Sequence, residues 1–144
     1  MKRLWLTAAM IPLYLSLSIG EPVILNNHER HTDIKELKDI EVLFWAICEV
    51  ESNCNPYAIG KDNDIGIAQI TPIRLKDYNE RNNKTYTLLD LHSIEISKEI
   101  FTYYAKGKDH ETVARTWNGG PEGMKKESTV KYWNKVKRVS NHKN

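Results

Sequence analysis

The sequence predicts a mostly α-helical single domain with one small β or irregular lobe, an α+β arrangement. Apolar residues recur at three- and four-residue spacing in several segments, which is typical of amphipathic helices. Residues 60–66 instead place two glycines around a polar turn, which favours short extended pieces. The 144 residues contain no internal repeat and no sign of a second domain, so one core is expected.

The first twenty residues predict a cleavable signal peptide. Lys2 and Arg3 precede the apolar run 4–17, and Ser18 and Gly20 place small residues where a signal peptidase reads them. The run is short and interrupted by polar residues and a proline, so no stable membrane span is expected after cleavage. We therefore expect a secreted or periplasmic protein.

The rest of the chain is expected to have three parts. Residues 21–32 are polar and lack a clear period, so they predict a flexible lead-in. Residues 33–139 carry the helical patterns and form the predicted domain, and residues 140–144 form a tail. Asp33 and Glu36 have the spacing of a capping box and should open the first helix.

The other helix boundaries follow from local signals. The first helix should run to about Ser52, before an Asn-Pro pair. Pro72 starts a second helix, which ends before a polar loop at 80–87. Ser93 and Asp109 can cap a third and a fourth helix, and a last helix begins near residue 128.

Charge and cysteine content restrict the classes of partner. The chain has 21 Lys and Arg against 19 Asp and Glu, and the signal contains two of the basic residues. The mature chain is therefore formally neutral, which does not favour nucleic acid, and we expect a monomer. Because no metal-ligand spacing occurs, no metal or other cofactor is expected. Cys48 and Cys54 could form a disulfide only if the helix ends between them, and the sequence leaves this open.

Glu51 is the candidate catalytic residue. It follows the apolar stripe of Ile40, Phe44 and Ile47 on the same side of the first helix, whereas Glu49 points the opposite way. Hydrocarbon neighbours and the carbonyls of a last helical turn should raise the pKa of this carboxyl, as a general acid requires. Alternatively, the helix frays earlier and Glu51 turns toward water.

Three short segments are informative together with Glu51. They are Glu51-Ser52-Asn53-Cys54-Asn55-Pro56, Gly66-Ile67-Ala68-Gln69-Ile70 and Ala114-Arg115-Thr116-Trp117-Asn118-Gly119-Gly120-Pro121. In this order they resemble the soluble-type lytic transglycosylase (SLT) domain, which is similar in fold to goose-type lysozyme. The resemblance covers about residues 34–139 and implies a lysozyme-like fold. It departs from the family pattern at Trp117, where a tyrosine is usual, so a phenolic hydroxyl is missing there.

The resemblance implies that the chain cleaves the β-1,4 bond between N-acetylmuramic acid and N-acetylglucosamine in glycan strands of peptidoglycan. Glu51 would act as the single general acid and base and give a 1,6-anhydromuramic product. A hydrolytic lysozyme is the alternative, with Asp64 or Asp62 as a second carboxylate that assists water. The structural alternative, which the turn-rich segment favours, is that both aspartates are turn residues.

Five further residues are candidates for substrate binding, and each has a structural alternative. Ser52 could orient Glu51 or close the helix end, and Gln69 could bind sugar or tie down the lobe. Trp117 could stack on a pyranose or belong to the core, and Asn118 could hold substrate or brace its loop. Of Tyr103 and Tyr104 only one can face the core, and Tyr104 is the candidate cleft residue.

A third function class is a non-catalytic wall-binding component of a secretion, conjugation or phage assembly. Such a protein would keep the cleft without cutting the glycan. Retention of Glu51 together with Gln69 argues against it.

Overall fold

The computed structural model describes residues 27–141, with side chains from residue 31, and most of these residues are helical. The helices are α1 (Asn27–Ser52), α2 (Pro72–Asn82), α3 (Ile94–Ala105), α4 (His110–Gly119) and α5 (Ser128–Asn141). Two short 3-10 helices, Leu89–His92 and Gly123–Lys125, precede α3 and α5. The predicted signal peptide and the end of the predicted tail lie outside the described residues. Within 27–141, no helix is apolar enough over sufficient length to cross a membrane.

Helix α1 begins earlier than the capping box predicts. It starts at Asn27, so the prediction of a flexible lead-in is wrong for residues 27–32, and Asp33 lies inside the helix. Residues 27–32 contain neither glycine nor proline, and nothing in them stops a helix that already runs from Asp33. The mostly helical fold class is nevertheless confirmed.

Side-chain caps start the three middle helices. Thr71 accepts a hydrogen bond from the backbone N–H of Arg74, with Pro72 next to it as the first residue of α2. Ser93 caps α3 and Asp109 caps α4 in the same manner. The predictions for these starts are confirmed because capping depends only on residues a few positions apart.

The segment 53–71, here called the lobe, contains turns and no strand in the described chain. Its only ladder contacts there are isolated antiparallel bridges, from Ile65 to Ile59 and to Ile70. The β form of the predicted lobe is therefore not found. Gly66 has a φ of 81°, and a Cβ at this position would lie 2.1 Å from the carbonyl oxygen of Leu91. Only glycine fits this close approach of two backbones.

The core lies around the second half of α1. Phe44 and Ile47 are fully buried there, together with Ile67 from the lobe, Phe101 from α3 and Val136 from α5. Rings of Phe44 and Phe101 meet at 5.4 Å between centroids. Because α1 is packed on several sides, its C-terminal end is held where the lobe, α2 and α5 come close together.

Candidate active site

Glu51 lies in the last turn of α1 and is half-buried. Its Oε1 atom accepts a hydrogen bond from the hydroxyl of Tyr132 at 2.7 Å. Burial raises the pKa of Glu51 above its ordinary value, and the charge of Asp64 raises it further. The Tyr132 hydroxyl and the Arg74 guanidinium act in the opposite direction, but burial is the larger effect. The pKa of Glu51 is therefore shifted in the direction that a general acid needs.

Tyr132 is a site residue that the sequence predictions missed. It is buried on α5, and its hydroxyl reaches across to Glu51 from 81 positions along the chain. Burial and the neighbouring carboxyl of Glu51 raise the pKa of Tyr132 well above its ordinary value, so the phenol stays a donor. It supplies a phenolic hydroxyl, which the sequence lacks at Trp117. A tyrosine on the apolar stripe of α5 was the available signal, because a buried phenol needs a polar partner.

The two aspartates of the lobe occupy different environments. Asp64 is half-buried, and its Oδ1 atom is sealed from solvent without a hydrogen-bond partner among the described residues. Burial and the charge of Asp62 raise the pKa of Asp64, and Arg74 lowers it. Asp62 is exposed. Only Asp64 thus has the burial, and the electrostatic influence on Glu51, that a second carboxylate would need.

Arg74 is a second site residue that the sequence predictions did not include. It lies in the first turn of α2, and its Nη2 atom donates to the carbonyl oxygens of Trp117 at 2.9 Å and Thr116 at 3.4 Å. Its guanidinium carbon lies 4.0 Å from the centroid of the Trp117 ring. Burial lowers the pKa of Arg74, while the charge of Glu51 is among those that raise it. The signal was a cation in the first turn of a helix, where the helix dipole disfavours it.

A cleft of about 880 Å³ opens beside Arg74, between α2 and the ends of α3 and α4. Three predicted binding residues line it, namely Tyr104, Trp117 and Asn118. Asn118 is exposed, whereas the Tyr104 hydroxyl donates to Asp77 at 2.7 Å. The residues that line this cleft do not include Glu51, and Arg74 is the lining residue whose charge acts on that acid.

Trp117 is a core residue of the cleft wall. Only 5% of its surface is exposed, and its Nε1 donates to the carbonyl oxygen of Ala68 at 3.0 Å. The Phe101 ring packs against it at 4.9 Å between centroids in an edge arrangement, and the Arg74 guanidinium lies over the Trp117 ring. These contacts agree with the core role that the sequence offered as the alternative to stacking on a pyranose.

Ser52 and Gln69 have the structural roles that the sequence left open. The Ser52 hydroxyl donates to the carbonyl oxygen of Ile67 at 2.7 Å and so ties the end of α1 to the lobe. The Gln69 amide donates to the carbonyl oxygens of Gly66 at 2.9 Å and Ala58 at 3.3 Å. The amide nitrogen of Gln69 is therefore engaged within the lobe, so Gln69 ties the lobe together while Ser52 holds it against α1.

The cysteines and the possible metal ligands add no residue to the candidate site. Helix α1 ends between Cys48 and Cys54, but no disulfide joins the two residues in the described structure. In the part of the chain that the structure describes, no three His, Cys, Asp or Glu side chains gather as metal ligands would. The site is therefore described by Glu51, Tyr132, Asp64 and Arg74.

A helical domain with a half-buried acid at the end of its central helix is the arrangement of a lysozyme-like glycosidic-bond-cleaving enzyme. The model of the transglycosylase SLT domain matches residues 33–139, and the chain belongs to this family. It is also similar to invertebrate-type lysozyme 6 of Caenorhabditis elegans, with 30% identity over 113 residues that cover 64% of this chain and 80% of that protein. Both findings support a lysozyme-like activity on peptidoglycan.

Proposed function

We propose that the protein is a peptidoglycan lytic transglycosylase that uses Glu51 as its single general acid and base. The observation that carries this proposal is the half-buried carboxyl of Glu51, with a raised pKa and a hydrogen bond from Tyr132, in a chain of the SLT family. The bond cleaved is the β-1,4 link between N-acetylmuramic acid and N-acetylglucosamine.

The first step is protonation of the leaving group. The Tyr132 hydroxyl occupies Oε1 of Glu51, which leaves Oε2 to carry the acidic proton. Oε2 gives this proton to the glycosidic oxygen as the bond from that oxygen to C1 of the muramic acid breaks. Positive charge develops at C1, and the new Glu51 carboxylate is stabilised by Tyr132 and by the charge of Arg74.

The second step closes the product ring. The carbonyl oxygen of the sugar's own acetamido group stabilises the positive charge at C1 until the 6-hydroxyl attacks C1 and displaces it. Glu51, now a carboxylate, accepts the proton of that hydroxyl and regains its starting form, while a new bond joins O6 to C1. The product is a 1,6-anhydromuramic end, and the sequence of steps requires no water and no second carboxylate.

The reaction is proposed to occur outside the cytoplasm. Peptidoglycan lies there, and residues 1–20 have the pattern of a signal peptide. The glycan strand is the partner that this proposal requires.

A hydrolytic lysozyme is the second candidate, and Asp64 is the observation that favours it. The buried Oδ1 atom of Asp64 has no hydrogen-bond partner among residues 31–141, and the charge of Asp64 acts on Glu51. A carboxylate in that position could accept a proton from an attacking water molecule. The product would then be a reducing sugar end.

Mass spectrometry of digested sacculi tests the two candidates. Anhydromuramic ends support the transglycosylase, whereas reducing muramic ends exclude it in favour of the hydrolase. Asp64→Asn is the matching variant. It should lower turnover less than about threefold in a transglycosylase, but by about 10²–10⁴ in a hydrolase that uses Asp64 as its base.

A further inference from the structure

Arg74 is held in place before any ligand arrives. The Thr71 cap fixes its backbone, and two carbonyl oxygens at the end of α4 accept from its Nη2. The Trp117 ring lies under the guanidinium at 4.0 Å, a cation–π distance. The negative end of the α4 dipole also favours a cation at this point. The guanidinium is thus oriented by backbone and ring contacts instead of by a counter-ion.

Arg74 forms no ion pair with any carboxylate of residues 31–141. The charges of Glu51 and Asp64 raise the pKa of Arg74, but neither carboxylate lies within the 4.0 Å from its guanidinium nitrogens that an ion pair requires. The hydrogen bonds to α4 occupy Nη2 alone, so the N–H groups of Nε and Nη1 have no acceptor within that part of the chain. Among residues 31–141, Asp64 Oδ1 is the one side-chain polar atom that is both sealed from solvent and without a partner. Nε and Nη1 of Arg74 are therefore not sealed from solvent. They are therefore accessible at the cleft that Arg74 lines.

The other cations of the cleft are engaged. Arg81 forms an ion pair with Asp77 at 2.7 Å, and the Lys108 ammonium donates to the carbonyl oxygen of Tyr104 at 2.7 Å. Arg74 is the most buried of the three, and its guanidinium carbon lies 5.9 Å from the Tyr104 ring centroid and 4.0 Å from the Trp117 ring centroid. A partly desolvated guanidinium with unused donors matches the geometry of a carboxylate better than that of a neutral hydroxyl.

We propose that Arg74 is a specificity-determining residue that binds a carboxylate of the substrate next to the scissile bond. The proposal rests on the function proposed above. Muramic acid differs from N-acetylglucosamine by a lactyl ether that ends in a carboxyl group. Recognition of that group distinguishes peptidoglycan from neutral polymers of N-acetylglucosamine, which have the same β-1,4 backbone.

Two sources can present this carboxylate. In a glycan strand stripped of peptides, the lactyl carboxylate itself is free. In a peptide-bearing strand the lactyl group is an amide, and the nearest carboxylates belong to the stem peptide. Arg74 binds the same chemical group in both cases, so matched ligands can tell the two sources apart.

The test is a binding measurement in the Glu51→Gln variant, which separates recognition from cleavage. Three ligands are titrated by calorimetry: a peptide-free strand, the same strand with its lactyl carboxyls converted to amides, and a peptide-bearing strand. Adding Arg74→Gln should weaken binding of at least one carboxylate-bearing ligand by about 10- to 100-fold and leave the amidated strand unchanged. Selective loss on the peptide-free strand identifies the lactyl group, and selective loss on the peptide-bearing strand identifies the stem peptide.

Arg81→Gln in the same background is the matched control, because it removes an arginine of the same cleft that already has a carboxylate partner. Arg81→Gln should change every dissociation constant by less than about threefold. Equal weakening of charged and amidated ligands by Arg74→Gln, or no weakening of any ligand, would overturn the proposal. A separate experiment tests the proposed function: sacculi that stay intact after incubation with the unaltered protein would contradict that function and not the binding role of Arg74.

Discussion

The two sides of helix α4 each hold an arginine, and the surroundings of the two arginines differ. On one side, here called the bracing side, Arg115 donates to Glu111 at 2.9 Å, to Thr129 at 3.0 Å and to the carbonyl oxygen of Met124 at 2.8 Å. On the other, the cleft side, Arg74 contacts two carbonyl oxygens and a ring but forms no ion pair with a carboxylate of residues 31–141.

The difference shows how to tell a charged side chain that stabilises the fold from one that is available to a ligand in this protein. Arg115 has a carboxylate, a hydroxyl and a carbonyl as acceptors, and it joins α4 to α5. Arg74 keeps unused donors beside a cleft and acts electrostatically on Glu51. Changes on the bracing side should therefore alter stability, and changes on the cleft side should alter binding or turnover.

The largest effect is expected at the acid itself. Glu51→Gln removes the proton donor and should lower the turnover of sacculi by about 10²–10⁴ while the fold is kept. Glu49→Gln is the matched control, because Glu49 is exposed two positions earlier on α1 and should retain near-normal turnover. Clearing of a turbid sacculus suspension measures both variants. Comparable losses in the two would remove Glu51 from its assigned role.

The next largest effect is expected on stability, at the contact between the lobe and the 3-10 helix Leu89–His92. Gly66→Ala would force a Cβ against the carbonyl oxygen of Leu91 and should reduce the free energy of unfolding by roughly 2–4 kcal/mol. Gly107 has a similar φ of 72° but open space around it, so Gly107→Ala should lose only about 1 kcal/mol. Urea denaturation compares the two, and equal losses would show that the close approach is unimportant.

A direct comparison of the two arginines should give a smaller effect. Arg115→Met leaves the acceptors of Glu111, Thr129 and Met124 unpaired and should reduce the free energy of unfolding by about 1–3 kcal/mol. Arg74→Met also loses the hydrogen bonds to two carbonyl oxygens and the contact with the Trp117 ring, but it removes the cost of a partly buried charge that has no ion-pair partner among residues 31–141, so its net loss should stay below about 1 kcal/mol. Urea denaturation of both variants provides the measurement. A larger loss for Arg74→Met would contradict the division between the two sides.

The smallest effect is expected for Tyr132→Phe, on stability and on the pH profile. Loss of one hydrogen bond should reduce the free energy of unfolding by about 1 kcal/mol. The Tyr132 hydroxyl lowers the pKa of Glu51, so its removal should raise that pKa further. Activity requires protonated Glu51 and falls as pH rises past its pKa, so the alkaline limb should move to higher pH. An unmoved limb in a profile of kcat/KM would separate Tyr132 from the acid.

Local signals predicted much of the fold and two residues of the candidate site, Glu51 and Asp64. Ser93 and Asp109 were predicted as caps because capping needs only neighbouring residues, and Glu51 was predicted from the helical stripe that precedes it. The start of α1 was wrong because a capping box can occur inside a longer helix. Of the two predicted forms of the lobe, β or irregular, the described residues show the irregular one, because glycines at a turn indicate where the chain bends but not whether strands pair.

The rest of the site depends on contacts between distant parts of the chain. Tyr132 meets Glu51 across 81 positions, and Arg74 meets Trp117 across 43. A pattern along one helix shows which side a residue faces but not which partner it meets. The sequence left open whether Gln69 binds sugar or ties down the lobe, and in the structure its backbone adopts a φ of 49° and its amide donates back into the lobe. These outcomes are set by packing, which no single segment contains.

The central claim is that burial keeps the Glu51 carboxyl protonated at a pH where an ordinary glutamate is charged. Carboxyl-carbon NMR titration of the folded protein measures this directly, with the Glu51 resonance assigned by its loss in Glu51→Gln. We predict that Glu51 titrates with a pKa above the ordinary glutamate value and above that of any exposed glutamate in the same spectrum. A pKa at or below the ordinary value would contradict the assignment of Glu51 as the general acid.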